Sequence, residues 1–498
     1  MIRLVRGAAA LALLLGALPA AAENRPEFTK EFSRTLPLAA PQKLRLENSN
    51  GDVRVKTRAG GDAAIHASIR VSSSDREGAE KFAADIRIDV ERGADGISVR
   101  TVYPRKDWSF HGTGYVSYSV DYDVVMPDTV PLEIRNRFGN VSVENLHAAG
   151  DVRNANGRIE FRSGRGAQHF ENSFGSLTVA GNAGDVSATN SNGTTTVSDV
   201  EGRLEVENRF GAVDASKIRR PARIVNSNGN VSLRDAAGGS SVTTSFGRID
   251  ADGIAGDVEL RNSNGAVAAR NLHGAARIDT RFGPVDASGI SGNVTVEDSN
   301  GAITLTDVGG GAEIRGSFAP IRATGVGRNV SVDATNAPVT IADVHGEARI
   351  RTSFALVDAK KIGSSLAVEN SNGGVRAQGV RGAASVRTSF GPINLEQIGG
   401  PIEADDQNGS IEARASGGSG CDRVTLRTSF GTIRFVLPPN PDYRVEARTS
   451  FGRVHSDVPL AGSARDAGPS DGTLSGTIGA GRCPVVLTNS NGSIEIVR

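Results

Sequence analysis

Asp214, Asp250, Asp286 and Asp358 recur at multiples of 36 residues, each in a Val/Ile-Asp-Ala segment behind a Phe-containing turn. A file of carboxylates at constant spacing could bind calcium, or supply the acid and base of a sugar-cleaving groove. Arg322 and Asn394 interrupt the file, and each Asp follows an apolar residue in an alternating segment. That is the pattern of an outward, solvated strand position. A second file, Asp199, Asp235, Asn271, Asp307 and Asp343, continues as Gly379. Asp, Asn and Gly exchange at one place when a turn, not a reaction, selects them. His147, His273 and His345 share a turn position but stand 126 and 72 residues apart, too far along the repeat to share a metal. No G-x-S-x-G nucleophile motif or P-loop is convincing. Nor does the G-G-x-G-x-D-x-U-x pattern of a calcium-binding β-roll occur. These residues therefore nominate no catalytic, cofactor-binding or metal-binding set.

The elements that carry these files are a repeat. From residue 136 to 409 the chain repeats every 18 residues without an insertion. Two Gly-terminated turns alternate. Phe138, Phe174, Phe210, Phe246, Phe282, Phe318, Phe354 and Phe390 mark one, and Asn156, Asn192, Asn228, Asn264, Asn300, Asn336, Asn372 and Asn408 mark the other. In residues 256–274, Val258 and Leu260 alternate with Glu259 and Arg261, then comes a turn, then Val267 and Ala269 alternate again. Each unit is strand, turn, strand, turn. An invariant period of this kind predicts an all-β parallel solenoid in which each coil buries its apolar face against its neighbours. Small inward residues fill a thin two-sheet core, which predicts about 18 residues per coil, not 36. At roughly 4.8 Å per coil the regular part spans about 75 Å. Phe174, Phe210, Phe246 and Phe282, with Asn192, Asn228, Asn264 and Asn300, are then structural turn anchors, each Phe filling the gap beside smaller neighbours. Three anchor glycines are replaced by Ala319, Ala337 and Ala355, so lack of room as well as positive φ selects Gly.

Lys+Arg and Asp+Glu each number 56, and this zero net charge argues against an electrostatically held nucleic-acid or membrane partner. Residues 1–22 have the form of a secretory signal. Arg3 and Arg6 precede a short apolar run and Ala20-Ala21-Ala22, which predicts cleavage before Glu23 and a mature chain without a membrane span. Residues 23–130 form a β-rich N-terminal cap, with strands at 65–71, 86–90, 97–102 and 116–125 and one helix at 75–84. Its Asn48-Ser49-Asn50-Gly51 copies the Asn turn, offset from the Gly139 turn by 88 residues, so an insertion intervenes. Trp108, Phe110, Tyr115, Tyr118 and Tyr122 pack that cap. Residues 131–415 are the regular solenoid. Residues 416–498 break register at Phe430, Phe451 and Asn491 and form an irregular C-terminal cap. Its cysteines, Cys421 and Cys483, are the only two in the chain, and in an exported protein they form a disulfide.

The chain as a whole resembles the bacterial putative-adhesin family of β-strand-repeat domains. The residues that carry the resemblance are the early N-S-N-G-D-V-R-V, the segment Asp121-Tyr122-Asp123-Val124-Val125-Met126-Pro127, the N-G-x-V and F-G-x-V/I repeats, and the terminal N-S-N-G-S-I-E-I. The resemblance implies a β-solenoid at the cell envelope and brings no catalytic residues. The expected function is a non-enzymatic adhesion, scaffold or binding surface for an envelope protein or glycan, in the periplasm, at the cell surface or outside the cell. The alternative is a polysaccharide lyase or hydrolase, which would need acids and bases clustered on adjacent coils.

Overall fold

A computed structural model describes residues 27–73, 75–104, 116–416, 422–465 and 472–498. Two parallel sheets face each other. One strand of each coil leads into the Phe or Asn turn, as in Val258–Asn264, and the other trails from it, as in Val267–Leu272. Leading strands pair only with leading strands, and trailing with trailing. Phe174 pairs in register with Asn156 on one side and Asn192 on the other. The coil is therefore 18 residues, and Phe174 and Phe210 lie two rungs apart, roughly 9.6 Å. Val, Ile, Leu and Ala from alternate positions fill the space between the sheets and are almost fully buried.

The core closes at the turn edge through a second asparagine, two residues before the exposed one, which the sequence pattern does not distinguish from ordinary turn chemistry. Asn154, Asn172, Asn190, Asn208 and Asn226 occupy this inward column and are buried. Asn172 Nδ2 donates to Gly157 O of the preceding rung and to Gly175 O of its own turn, both at 3.1 Å. Asn190 repeats this with Gly175 O at 3.1 Å and Gly193 O at 3.2 Å. Each amide thus ties two successive turns. The turns are also in contact. A Cβ on Gly175, whose φ is +121°, would sit 2.3 Å from Gly157 O, so room and conformation both require Gly there. At the alanine-containing turns the backbone changes instead, and positive φ moves one residue earlier to Phe318, Asn336 and Phe354.

Both ends of the stack depart from simple succession. The segment Lys43–Asn48 lies on Leu132–Phe138 with Asn48 opposite Asn136, so the coil begun by the early Asn turn is the direct neighbour of the first Phe turn. The intervening residues form the end of the stack. Glu27–Pro37, a strand the sequence pattern does not single out, pairs antiparallel with Asp62–Ser72, and that strand with Ser117–Pro127. The helix Arg76–Asp85 is capped by Asp75, whose Oδ1 accepts from Gly78 N at 2.9 Å, and buries Ala79, Phe82 and Ala83. Tyr122 is buried with its hydroxyl 2.6 Å from Thr101, and burial pushes its pKa up to about 12. Tyr118 packs on Phe82, while Trp108, Phe110 and Tyr115 lie outside the described residues. At the other end Cys483–Asn491 inserts between Val424–Phe430 and Tyr443–Thr449, pairing parallel with both. The last coil in sequence is thus the penultimate coil in space. Gly472–Ile478 then runs antiparallel along Tyr443–Thr449.

Replacing Asn190 by Ala removes two buried N–H bonds, leaving Gly193 O without its side-chain donor and Gly175 O with Asn172 alone. It should cost about 2 kcal/mol in urea unfolding. Asn190→Thr should recover part of that, because Thr428 holds the same column with its hydroxyl 2.9 Å from Gly409 O. An Asn190→Ala protein as stable as the parent would remove the amide tie from this account.

Candidate binding edge

The inward place two residues before each turn is held by a buried asparagine in most of the N-terminal coils and elsewhere by Thr, by Asp298 and Asp406, or by Gly316 and Ala334, and the turn residue itself faces solvent. The Phe rings do not fill gaps in the stack, as the sequence reading expects. They stand outside it, from 45 % exposed at Phe138 to 70 % at Phe451. Around Phe174 the amide column and the touching Gly backbones leave no room for a ring inside this edge. Phe174, Phe210, Phe246 and Phe282 therefore share one outer edge with Asn192, Asn228, Asn264 and Asn300. The exposed asparagines brace it. Asn192 Nδ2 donates to Ser173 O at 3.3 Å, and Asn300 Nδ2 to Arg281 O at 3.3 Å.

The alternation survives where the chain is out of order. Phe138 lies on the Asn50 turn, with Gly51 N donating to Phe138 O at 2.8 Å. Phe430 pairs with Asn491, and Phe451 N donates to Ser490 O at 2.8 Å. In space the order Phe430, Asn491, Phe451 continues the rule that the sequence order breaks.

The edge changes character along its length. Near the N-terminal half it carries Arg137, Arg158, Arg209 and Arg248, and the Arg137 guanidinium lies 5.4 Å from the Phe138 ring centre. From residue 300 to 392 the positions flanking the turn carry no charge. They include the exposed Pro320, Pro338, Leu356 and Pro392 beside Phe318, Phe354 and Phe390.

The carboxylate files behave as solvated and paired groups. Asp250 and Asp286 flank Ala268 in the register, two rungs apart. Arg270 stands between them, 3.2 Å from Asp250 and 3.7 Å from Asp286. Asp358 pairs with Lys360 at 2.9 Å, and Asp214 lies between Thr196 and Ser232. Asp199, Asp235, Asn271, Asp307 and Asp343 all have φ between 52° and 57°, and Gly379 has 72°, as a turn preference requires. His147 pairs with Asp128 at 3.0 Å, while His273 and His345 are exposed on separate coils. Among the described residues no cluster of three or more His, Cys, Asp or Glu could hold a metal. A groove of about 1160 Å³ runs along the other end of the leading strands, floored by small residues such as Ala149, Ala167, Pro221 and Ala275. Cys483 is buried at the start of its strand, and Cys421 lies outside the described residues.

Two members of the inward amide column are acids. Asp298 and Asp406 use one carboxylate oxygen to accept from the turn backbone, from Gly301 N at 3.0 Å and Asn408 N at 3.1 Å respectively. The other oxygen is buried and without a partner among the described residues, on the side where an asparagine would donate. Burial raises both pKa values, that of Asp406 to about 6. The folded state therefore holds this proton more tightly than the unfolded chain, and the site's contribution to stability falls as pH rises from about 4 to about 6. Asp406→Asn supplies the missing donor at every pH. It should match the parent below about pH 4 and exceed it by about 2 kcal/mol above about pH 6. A difference that does not change with pH, followed by urea unfolding across this range, would contradict the buried acid.

Among the described residues no helix is long and apolar enough to cross a membrane. Comparison with curated proteins finds no match. A crystal structure described as a putative cell adhesion protein from Clostridium sporogenes aligns with 47 % of this chain and 100 % of its own, at 10 % identity and a TM-score of 0.21. Residues 284–497, the C-terminal part of the stack with its threaded last coil, match the model of the Toastrack family.

Proposed function

We propose that this protein is a non-enzymatic, exported β-solenoid that works as an adhesion or scaffold surface at the cell envelope, and that the Phe–Asn edge is its binding surface. The observation that carries this reading is the regular exposure of ten Phe rings on alternate rungs of one edge. Large apolar side chains kept in water along a continuous line mark an interaction site, because nothing in the fold needs them there. A rigid rod presents such a line at fixed spacing and loses little entropy on binding. The pairing of Asp250 and Asp286 with Arg270 supports a structural role for the acidic file in place of the polysaccharide-cleaving alternative. Export rests on the composition of residues 1–22 and on the two cysteines, which we take to be bonded to each other. Closing that loop stabilises the C-terminal end by about 4 kcal/mol in the chain-entropy model.

Co-sedimentation with purified bacterial envelopes tests the edge. A variant carrying Phe174→Ser, Phe210→Ser and Phe246→Ser should be retained at least tenfold less than the parent, since aromatic anchors dominate such contacts. Equal retention of parent and variant would remove the edge from the binding surface. The exported chain should also begin at Glu23 and hold Cys421 and Cys483 as one bond. Intact mass before and after reduction reads both, and a start at Met1 or two free thiols would refute the corresponding part.

A further inference from the structure

We propose that the uncharged stretch of this edge, residues 300–392, docks against the same stretch of a second copy of the chain in antiparallel orientation. The proposal rests on the edge being a binding surface and names its occupant. Three observations point to a second copy.

The first is period. The Phe rings protrude on every second rung, roughly 9.6 Å apart, with a smaller Asn between. Another copy has the same spacing along its whole edge. Shifted by one rung, each Phe of one rod faces an Asn rung of the other, so protrusions meet gaps on both sides of a two-fold axis. Such an isologous contact closes as a dimer.

The second is charge. Three residues before the turn, on the outer face of the leading sheet, stand Arg315, Asp333, Arg351, Glu369, Arg387 and Asp405. Arg falls on the Phe rungs and the acids on the Asn rungs. In an antiparallel pair with its two-fold axis perpendicular to both rods, leading sheet lies beside leading sheet. The one-rung shift that nests Phe against Asn then also sets the Arg rungs opposite the acidic rungs. Without the shift, both Phe and like charges collide. The flanks already pair within one chain, as in Arg351–Glu369 at 3.1 Å, so they form a polar rim around an apolar centre.

The third is area. Phe282, at the margin of this stretch, and Phe318, Phe354 and Phe390 are 61, 66, 66 and 53 % exposed. At roughly 200 Å² per ring the three rings inside the stretch offer about 370 Å², and Phe282 adds about 120 Å² at its margin. Leu356 at 43 % and the exposed Pro320, Pro338 and Pro392 bring the strip to the order of 800 Å² that one partner contributes to a stable complex. The N-terminal half of the edge carries Arg137, Arg158, Arg209 and Arg248, so a self-contact there would desolvate charge that the turns from residue 300 to 392 do not carry.

Sedimentation velocity of the full mature chain across a concentration series tests this. The parent should sediment as a dimer. Phe318→Ser with Phe354→Ser should weaken dimerisation at least thirtyfold, with circular dichroism unchanged because both rings are outside the core. Phe138→Ser with Phe174→Ser, outside the docking stretch, should leave the dimer intact. Asn336→Phe is the sharper test. It adds apolar surface to a turn whose backbone Phe318 and Phe354 already adopt, yet fills the gap that a partner ring needs, so it should also break the dimer. A merely adhesive edge would associate more strongly in that variant, and this outcome overturns the nested geometry. A parent that stays monomeric at its highest soluble concentration overturns self-docking altogether. Loss of envelope retention on removing Phe174, Phe210 and Phe246 would in that case still uphold the edge as a surface for a different partner.

Discussion

The whole stack depends on the contact between one turn and the next. Glycine backbones touch there, and in coils such as those of Asn172, Asn190, Asn226 and Asn370 a buried asparagine donates to the carbonyls of two successive turns. A carbonyl buried beside an apolar core without a donor is costly, so each rung fixes the position of its neighbour. This contact sets the 18-residue length, since a longer coil would carry the turn past its partner. It also decides which side chains face outward. The inward position is occupied by an asparagine amide, or in other coils by a smaller or acidic residue such as Thr388 or Asp406, and the Phe or Asn that follows is left in solvent. Exposure of the aromatic edge is thus a consequence of how the core is sealed.

Much of this was legible in the sequence. The unbroken spacing of Phe174, Asn192 and Phe210 implied parallel stacking, and the small inward residues implied a thin coil with Phe beside Asn, as the register has it. Asp75 and the Ala79, Phe82, Ala83 stripe marked the helix. The inward asparagines were not legible as a ladder. Asn172 and Asn190 sit inside turn-rich tetrapeptides, where asparagine is expected for its local bonding, and periodicity cannot distinguish a side chain bonding its own turn from one that also bonds the next. The placement of the rings is illegible for the same reason, because spacing does not reveal that the inward column already fills the gap beside them. Nor could spacing reveal that residues 483–497 thread between two earlier coils. That arrangement depends on strand pairing across about sixty residues, and the intervening loops carry no period.

The alternation itself bears on the proposed role of the edge. Rings on adjacent rungs, roughly 4.8 Å apart, would stack and cover one another, as like-on-like ladders do. That arrangement would favour stability and hide aromatic surface. Placing Asn between the rings separates them to two rungs and leaves each about half exposed. The asparagine meanwhile satisfies a carbonyl of the rung before it, as Asn264 does with Ser245 O at 3.4 Å. The edge therefore keeps its backbone paired while presenting the most aromatic area that separate rings allow. The rule holds at Asn50–Phe138 and at Phe430–Asn491–Phe451, where sequence order no longer imposes it. Duplication of one repeat would carry the pattern along the chain, but it would not place it correctly across two topological breaks.

The ends of the stack direct where such contacts can form. An uncovered parallel sheet would offer a row of free backbone groups and grow end to end. Here the trailing sheet ends in the antiparallel strands Ser117–Pro127, Asp62–Ser72 and Glu27–Pro37, with the helix against the last two. The leading sheet ends in the hairpin of Arg87–Gly93 and Gly96–Val102. At the far end, Gly472–Ile478 and Ala461–Arg465 cover the leading sheet by antiparallel pairing. The threaded coil there cannot peel away as a terminus, because Tyr443–Thr449 lies outside it and must leave first. Strands of opposite direction interrupt the stack at three of the four sheet ends, and the fourth stops at the three-residue strand Val454–Ser456, so neither end continues the regular parallel ladder. On the sides of the rod, the Phe–Asn edge is the face that presents large aromatic side chains at a regular spacing.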